Sequence, residues 1–415
     1  MVKLEKVKAR EVIDSRGNPT VEVQIDTSKG RVFGIAPSGA SIGRHEALEI
    51  RDHKKAYLGL GVTKAVRNVP LLAQRLKGKQ LDMIKADRII SKAAGKNKIK
   101  FGANATTALS IAVARADALN RGLPLYKYIS YVSGRKLRMP VPFANVINGG
   151  KHASGGLEIQ ELMIVPVKAK SFRQATQMIS ETYHVLKQDI IKKIGKESAN
   201  VADEGGFVPK IANTYEALSL LNGAIEDAGY QRKMKIAIDA AASNFYYIKR
   251  YVIDGEKFFG DGLIDKYQDL INMFPVISIE DPFAEDDFRN FKMFYERIGH
   301  RIQVVGDDLL VTNPERIKFA IKEKLCDTLL MKVNQIGTVT EALDAAKLAF
   351  DAGWNVMVSH RSGETEDTFI SDLACGLGCG QIKLGAPCRG ERTAKYNRLL
   401  RIEEELGKKV KFGWQ

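Results

Sequence analysis

Between positions 302 and 332 the chain runs Ile302-Gln303-Val304-Val305-Gly306 into Asp307, then through Asn313-Pro314, then Thr328-Leu329-Leu330-Met331 into Lys332. Two short apolar runs, each ending on an ionisable residue, bracket a helix start. Asn313 is a favoured N-cap, and a proline in the next position has its φ preset for the first helical turn. Strands alternating with capped helices are the sequence form of a parallel sheet with crossover helices. The pattern continues in both directions. Upstream, Lys235-Ile236-Ala237-Ile238 leads into Asp239 and Val276-Ile277-Ser278-Ile279 into Glu280. Downstream, Asn355-Val356-Met357-Val358-Ser359 leads into His360-Arg361, and Gly380-Gln381-Ile382 into Lys383. Thr338-Val339-Thr340-Glu341 forms a capping box ahead of Ala342 to Phe350, with Gly353 beyond it.

The fold class is therefore α/β, with a (β/α) barrel over about 134–415. At 415 residues the chain is too long for one ordinary core, so a smaller α+β domain is expected over about 1–133. That first part opens with the turn Asp14-Ser15-Arg16-Gly17-Asn18-Pro19 and the alternating run Thr20-Val21-Glu22-Val23-Gln24-Ile25. A Gly-rich loop follows, Pro37 to Gly43, and a helix is expected from Asn104 through Ile111, Val113 and Ala116 to a stop at Gly122. No low-complexity linker divides the two parts.

Composition narrows the classes further. Hydrophobic residues make up 45%, the start Met1-Val2-Lys3-Leu4-Glu5-Lys6 is charged, and no apolar run approaches the length of a bilayer span. A cytoplasmic chain without a membrane span is the expectation. Cys326, Cys375, Cys379 and Cys388 are too few to staple a chain of this size and lack paired CxxC spacing, so they read as reduced packing residues. A formal charge of +15 favours anionic ligands. The basic patches at Lys92 to Lys100 and Lys408 to Lys411 carry no interleaved aromatics and read as solvated faces, with no dedicated nucleic-acid site.

In a parallel barrel the strand ends open on one face, where residues distant in sequence converge. Asp239, Glu280 and Asp307 would meet there as three carboxylates that repel one another unless a cation joins them, and an all-oxygen set favours magnesium over zinc. Any one acid after a strand is ordinary, as an N-cap or surface ion pair. Lys332, His360, Arg361 and Lys383 supply the opposite charge, suited to a small substrate carrying phosphate and carboxylate. Lys332 follows a fully apolar run, and beside other cations and a dication its pKa should fall, leaving a neutral amine able to act as a base. Ser41 sits in the Gly-rich loop. His152 lies between Gly149-Gly150 and Gly155-Gly156, with Gln160 and Glu161 just beyond, and Asp203-Glu204-Gly205-Gly206 reads either as a plain turn or as a mobile general acid.

These stretches, with Ser38-Gly39-Ala40-Ser41, Ser278-Ile279-Glu280-Asp281-Pro282-Phe283, Gly306-Asp307-Asp308-Leu309, Lys332 to Thr338 and Ser359 to Thr365, resemble the enolase family in order along almost the whole chain. The resemblance implies a modified TIM-type (β/α)8 barrel with an N-terminal α+β capping domain. It implies 2-phospho-D-glycerate and phosphoenolpyruvate as substrate and product, two Mg2+ per active site during turnover, and a homodimer or higher homo-oligomer. By resemblance Asp239, Glu280 and Asp307 hold the tighter magnesium, and Ser41 joins the second when a lid closes. Lys332 matches the base at C2 and Glu204 the acid at C3. Arg361 and Ser362 match phosphate contacts, Lys383 a contact near the carboxylate, and His152, Gln160, Glu161 and His360 the surrounding residues. The chain departs from the family pattern at Ile42, Ser154 and Leu384. Two rivals remain open at this level: an acid-sugar dehydratase or racemase on the same barrel, and a polyanion-binding protein that has kept the fold but lost the reaction.

Overall fold

The computed structural model describes residues 6–39, 43–78, 82–153 and 156–413. The N-terminal part begins with an antiparallel sheet of β1 (Lys6–Ile13), β2 (Pro19–Thr27) and β3 (Gly30–Ile35). The helix expected from Asn104 runs Ala103–Asn120 and is buried along most of its length, since Ala, Thr and Ser offer every side a small surface that neighbours can approach. Its backbone lies so close to β3 that a Cβ on Gly34 would stand 2.4 Å from the Ala108 carbonyl oxygen. Only glycine fits there.

Eight strands then close a barrel: β4 (Val141–Asn148), β5 (Glu161–Val165), β6 (Lys235–Asp239), β7 (Val276–Glu280), β8 (Gln303–Gly306), β9 (Thr328–Met331), β10 (Asn355–Ser359) and β11 (Gly380–Lys383). The six runs read from sequence are β6 to β11. Asn313 and Thr338 cap their helices as expected, each accepting a backbone N–H in the first turn.

One expectation needs correction, because the strands are not all parallel. β5 runs antiparallel to both β4 and β6. Among its described residues the connection from Asn148 to Glu161 holds a single 3-10 turn, Gly150–His152, and parallel pairing would need a crossover helix in that space. Reversal has a useful result: Glu161 starts its strand yet sits on the rim where the other strands end. Register sets Asn148 opposite Glu161, Glu161 opposite Asp239, and Asp239 opposite Glu280. Beneath this rim Val141, Phe143, Met163, Val165, Ala237, Val305, Leu330 and Met357 pack as one cluster, so the barrel interior is filled.

The N-terminal layer closes over the barrel through polar ties. Arg115 grips Asp367 with both Nη atoms at 2.6 and 2.7 Å, Lys98 pairs with Glu341 at 2.8 Å, and Ser38 bridges to Gly363 through both backbone groups. The four cysteines are unpaired. No helix among the described residues is long and apolar enough to cross a membrane.

Candidate active site

A cleft of about 460 Å³ opens at the strand-end rim. Seven carboxylates line it, Glu46, Glu161, Glu204, Asp239, Asp281, Asp307 and Asp308, against three fixed cations, Lys332, Arg361 and Lys383. Most of these groups are placed by a strand end or the turn just after it, while Glu46 comes from the N-terminal part and Glu204 from the segment before helix Thr214–Asp227.

Lys383 ends β11 and reaches across the barrel mouth. Its Nζ lies 2.9 Å from Asp239 Oδ2, 2.9 Å from Glu280 Oε2 and 3.1 Å from Glu161 Oε2. Burial pushes its ammonium down, but the three acids outweigh burial and hold it well above its ordinary value. Next along the rim, Lys332 Nζ stands 2.5 Å from Asp307 Oδ2, and the Gln335 amide donates to Asp307 Oδ1 at 2.9 Å. The expectation of a neutral Lys332 amine is therefore not met by the protein groups alone. Burial lowers its pKa, but Asp307 and Glu280 overcome that, and the ammonium is held above its usual range.

Negative charge is nonetheless in excess. Burial, then Glu204, raises the Glu161 carboxyl; burial, then Asp239, raises that of Glu280. Burial with Asp308 and Asp307 raises Asp281, while Asp308 is pushed up to about 7 by burial and Asp307. Carboxyls that raise one another in this way would ionise together beside a divalent cation. The donor set is almost all oxygen and fits a hard metal. Asp239 and Glu280 are brought together around Lys383, with Asp307 one position further round on Lys332. Among the described residues two trios gather possible ligand atoms within 4.8 Å of one another: Asp281, Asp307 and Asp308, and His152, Glu161 and Glu204.

Glu204 stands at the other end of the cleft. His360 Nε2 is 3.4 Å from its Oε2, His152 Nδ1 is 3.6 Å from its Oε1 and 3.5 Å from Glu161 Oε1, and the Asn145 amide donates to Oε2 at 2.9 Å. Burial holds His152 below its ordinary value and His360 down at about 4. Arg392 fixes the tautomer of His360: its Nη1 lies 2.7 Å from His360 Nδ1 and can only donate, so Nδ1 accepts and Nε2 carries the proton that faces Glu204. Burial raises Glu204, but charge on His360 and His152, with Arg392, outweighs burial and holds the carboxyl well below its ordinary value. Because both imidazoles are neutral at pH 7, their part of that lowering belongs to acid pH.

The Glu204 segment forms a turn that is tied to its neighbours on several sides. Phe207 exchanges backbone hydrogen bonds with Val146 and Asn148 on β4, Tyr183 Oη donates to the Gly205 carbonyl, and Ala386 N donates to that of Glu204. A Cβ on Gly206 would lie 2.4 Å from Asn148 Oδ1.

Arg361 is held by Glu46 at 3.0 and 3.2 Å and by Asn334 Oδ1 at 3.0 Å. Ser362 lines the cleft beside it. Gln160 donates to Asp239 Oδ2 at 3.2 Å, and Leu384 is buried. Ser41, Ile42 and Ser154 lie outside the described residues. Sequence reasoning did not assign roles to Asp281 and Asp308, though each directly follows an assigned acid. It missed Glu46, Asn145 and Arg392 altogether. Asn145 sits in an apolar strand and Arg392 in a helix that reads as charged surface, so neither carried a local signal.

A filled barrel whose one rim gathers excess carboxylates, two lysines and two neutral imidazoles is built for acid–base chemistry on a small anion. Residues 136–415 match the family described as "Enolase, C-terminal TIM barrel domain", and residues 4–129 match "Enolase, N-terminal domain". The chain is 51% identical over 422 aligned positions to "Enolase B" of Dictyostelium discoideum, an alignment covering 98% of this chain and 95% of that protein. The chain belongs to the enolase family and is a hydro-lyase.

Proposed function

We propose that this enzyme reversibly dehydrates 2-phospho-D-glycerate to phosphoenolpyruvate in glycolysis and gluconeogenesis, with magnesium as cofactor. The observation that carries this reading is the placing of Lys332 and Glu204 in one cleft, within two separate sets of partners. In this reading Lys332 takes the proton from C2. Asp307, itself held by the Gln335 amide, keeps its Nζ in place, and once Asp307 is engaged elsewhere the ammonium loses its strongest partner and can cycle through the neutral amine. Glu204 delivers a proton to the departing C3 hydroxyl, oriented by Asn145 and the Nε2–H of His360. Arg361 and Ser362 bind the phosphate, Lys383 lies near the carboxylate, and His152, Gln160 and Glu161 complete the wall.

Asp239, Glu280 and Asp307 would hold one magnesium and Ser41 would join a second, supplying the positive charge that an α-carboxylate carbanion requires. A division at about 133/134 fits the end of helix Leu125–Ser133 on Gly134, whose positive φ stops the helix. The protein in this reading is cytoplasmic and assembles as a homodimer or higher homo-oligomer.

Mixing the protein with 2-phosphoglycerate and Mg2+ should raise the ultraviolet absorbance of an enol phosphate, and chelation of the metal should stop the rise. Absence of product with saturating metal would overturn the assignment.

A further inference from the structure

At the opposite end of the barrel from the catalytic rim, where β4 and β11 begin, two clefts meet at Arg135. One, of about 1190 Å³, is lined by Arg135, Lys136, Arg138, Lys409 and Lys411 with no carboxylate on its wall. None of these five has an ion-pair partner among the described residues. The pairing of Lys411–Phe412 with Arg138–Met139 sets Lys411 and Arg138 opposite each other in register. Like charges at such a position are unfavourable unless an anion joins them.

The second cleft, of about 790 Å³, lies between the N-terminal layer and the barrel helix Val339–Asp351 and is apolar on one side and polar on the other, where Arg88 pairs with Asp344 and Lys347 with Asp351. Ile84, Val132, Leu343, Phe350 and Leu377 form its apolar wall. Arg135 lines both clefts and is held rigidly. Its Nε donates to the Leu377 carbonyl at 2.9 Å, and its guanidinium lies 3.5 Å from the centre of the Phe350 ring. Arg138 is steadied in turn by donating to the Gly413 carbonyl at 3.0 Å. Burial, together with the charge of Arg138, holds the Arg135 guanidinium below its ordinary value.

We propose that the joined clefts form a nucleotide site, with the phosphates of a nucleoside polyphosphate among Arg135, Arg138 and Lys411 and its base against the apolar wall of the second cleft, beside Arg135 and Phe350. The chemistry of the two halves supports this pairing. Fixed guanidiniums recognise phosphate, and a planar guanidinium stacked on an aromatic ring offers a flat surface to a base. Its lining residues are shared with no part of the catalytic cleft. Because one wall belongs to each part of the molecule, occupancy would tie the N-terminal layer to the barrel.

Isothermal titration of the full-length protein, with Mg2+ present, against ATP, tripolyphosphate and adenosine tests this. Saturable binding of one ATP per chain is expected, about tenfold or more tighter than tripolyphosphate, with adenosine weaker than either. Arg135→Ala and Lys411→Glu should each weaken ATP binding about tenfold, whereas Arg361→Ala in the catalytic cleft should leave it unchanged. Lys411 is exposed, so its replacement keeps the test open should Arg135→Ala fail to fold. Three results would overturn the proposal: no saturable binding, equal affinity for ATP and tripolyphosphate, or binding lost in Arg361→Ala and kept in Lys411→Glu.

Discussion

His360 is the residue at which burial most plainly decides chemistry. A histidine beside a glutamate usually gains a proton; here burial and Arg392 oppose it, and its pKa falls to about 4. The neutral ring contributes to stability above about pH 6.5, the value in an unfolded chain, and that contribution is lost as pH falls toward about 4. Nitrogen chemical shifts of the His360 ring should accordingly report a neutral Nε2–H tautomer down to about pH 5, and Arg392→Met should abolish the preference for that tautomer. A ring already doubly protonated near pH 6 would contradict the assignment. The sequence flagged His360 because it follows a strand, yet it could not give the protonation state, which depends on Arg392 in a helix thirty-two positions away. The same limit applies to Lys332, whose ammonium is held up by Asp307 as long as only protein groups surround it.

Among the elements, the Glu204 segment is fixed by how closely its glycines approach β4. Gly206→Ala would drive a methyl against Asn148 Oδ1 and should cost roughly 1 to 3 kcal/mol, with turnover falling as Glu204 is displaced. Gly223 is the control. It lies within helix Thr214–Asp227 with open space at its Cβ position, so Gly223→Ala should stabilise by up to about 1 kcal/mol in urea unfolding and leave turnover unchanged. Equal effects from the two changes would mean that the close approach at Gly206 is immaterial. The strands from Lys235 onward and the caps at Asn313 and Thr338 were legible in sequence because each has a local cause. The reversed β5 was not, since its direction follows from the length of the 149–160 connection and the register it meets on β6.

Across the whole molecule, the N-terminal layer and the barrel should behave as one cooperative unit. Asp367 accepts both Nη groups of Arg115 and also the backbone N–H of Ile35, so Asp367→Ala leaves a largely buried guanidinium without its ion partner, though still donating to the Phe33 carbonyl. The expected loss is on the order of 3 kcal/mol, read as a lower midpoint in a single calorimetric transition. Two separated transitions would show that the parts unfold independently. The two-part division was visible in sequence as a change from mixed elements to strand–helix alternation, whereas the ties between the parts join residues more than two hundred positions apart and left no local trace. The central claim is that Lys332 and Glu204 perform separate halves of one dehydration, and hydrogen exchange at C2 of 2-phosphoglycerate in deuterated water tests it most directly. Glu204→Gln should still exchange that hydrogen while forming little phosphoenolpyruvate, and Lys332→Ala should do neither. Exchange lost in Glu204→Gln with fold and metal binding intact, or retained in Lys332→Ala, would contradict the account.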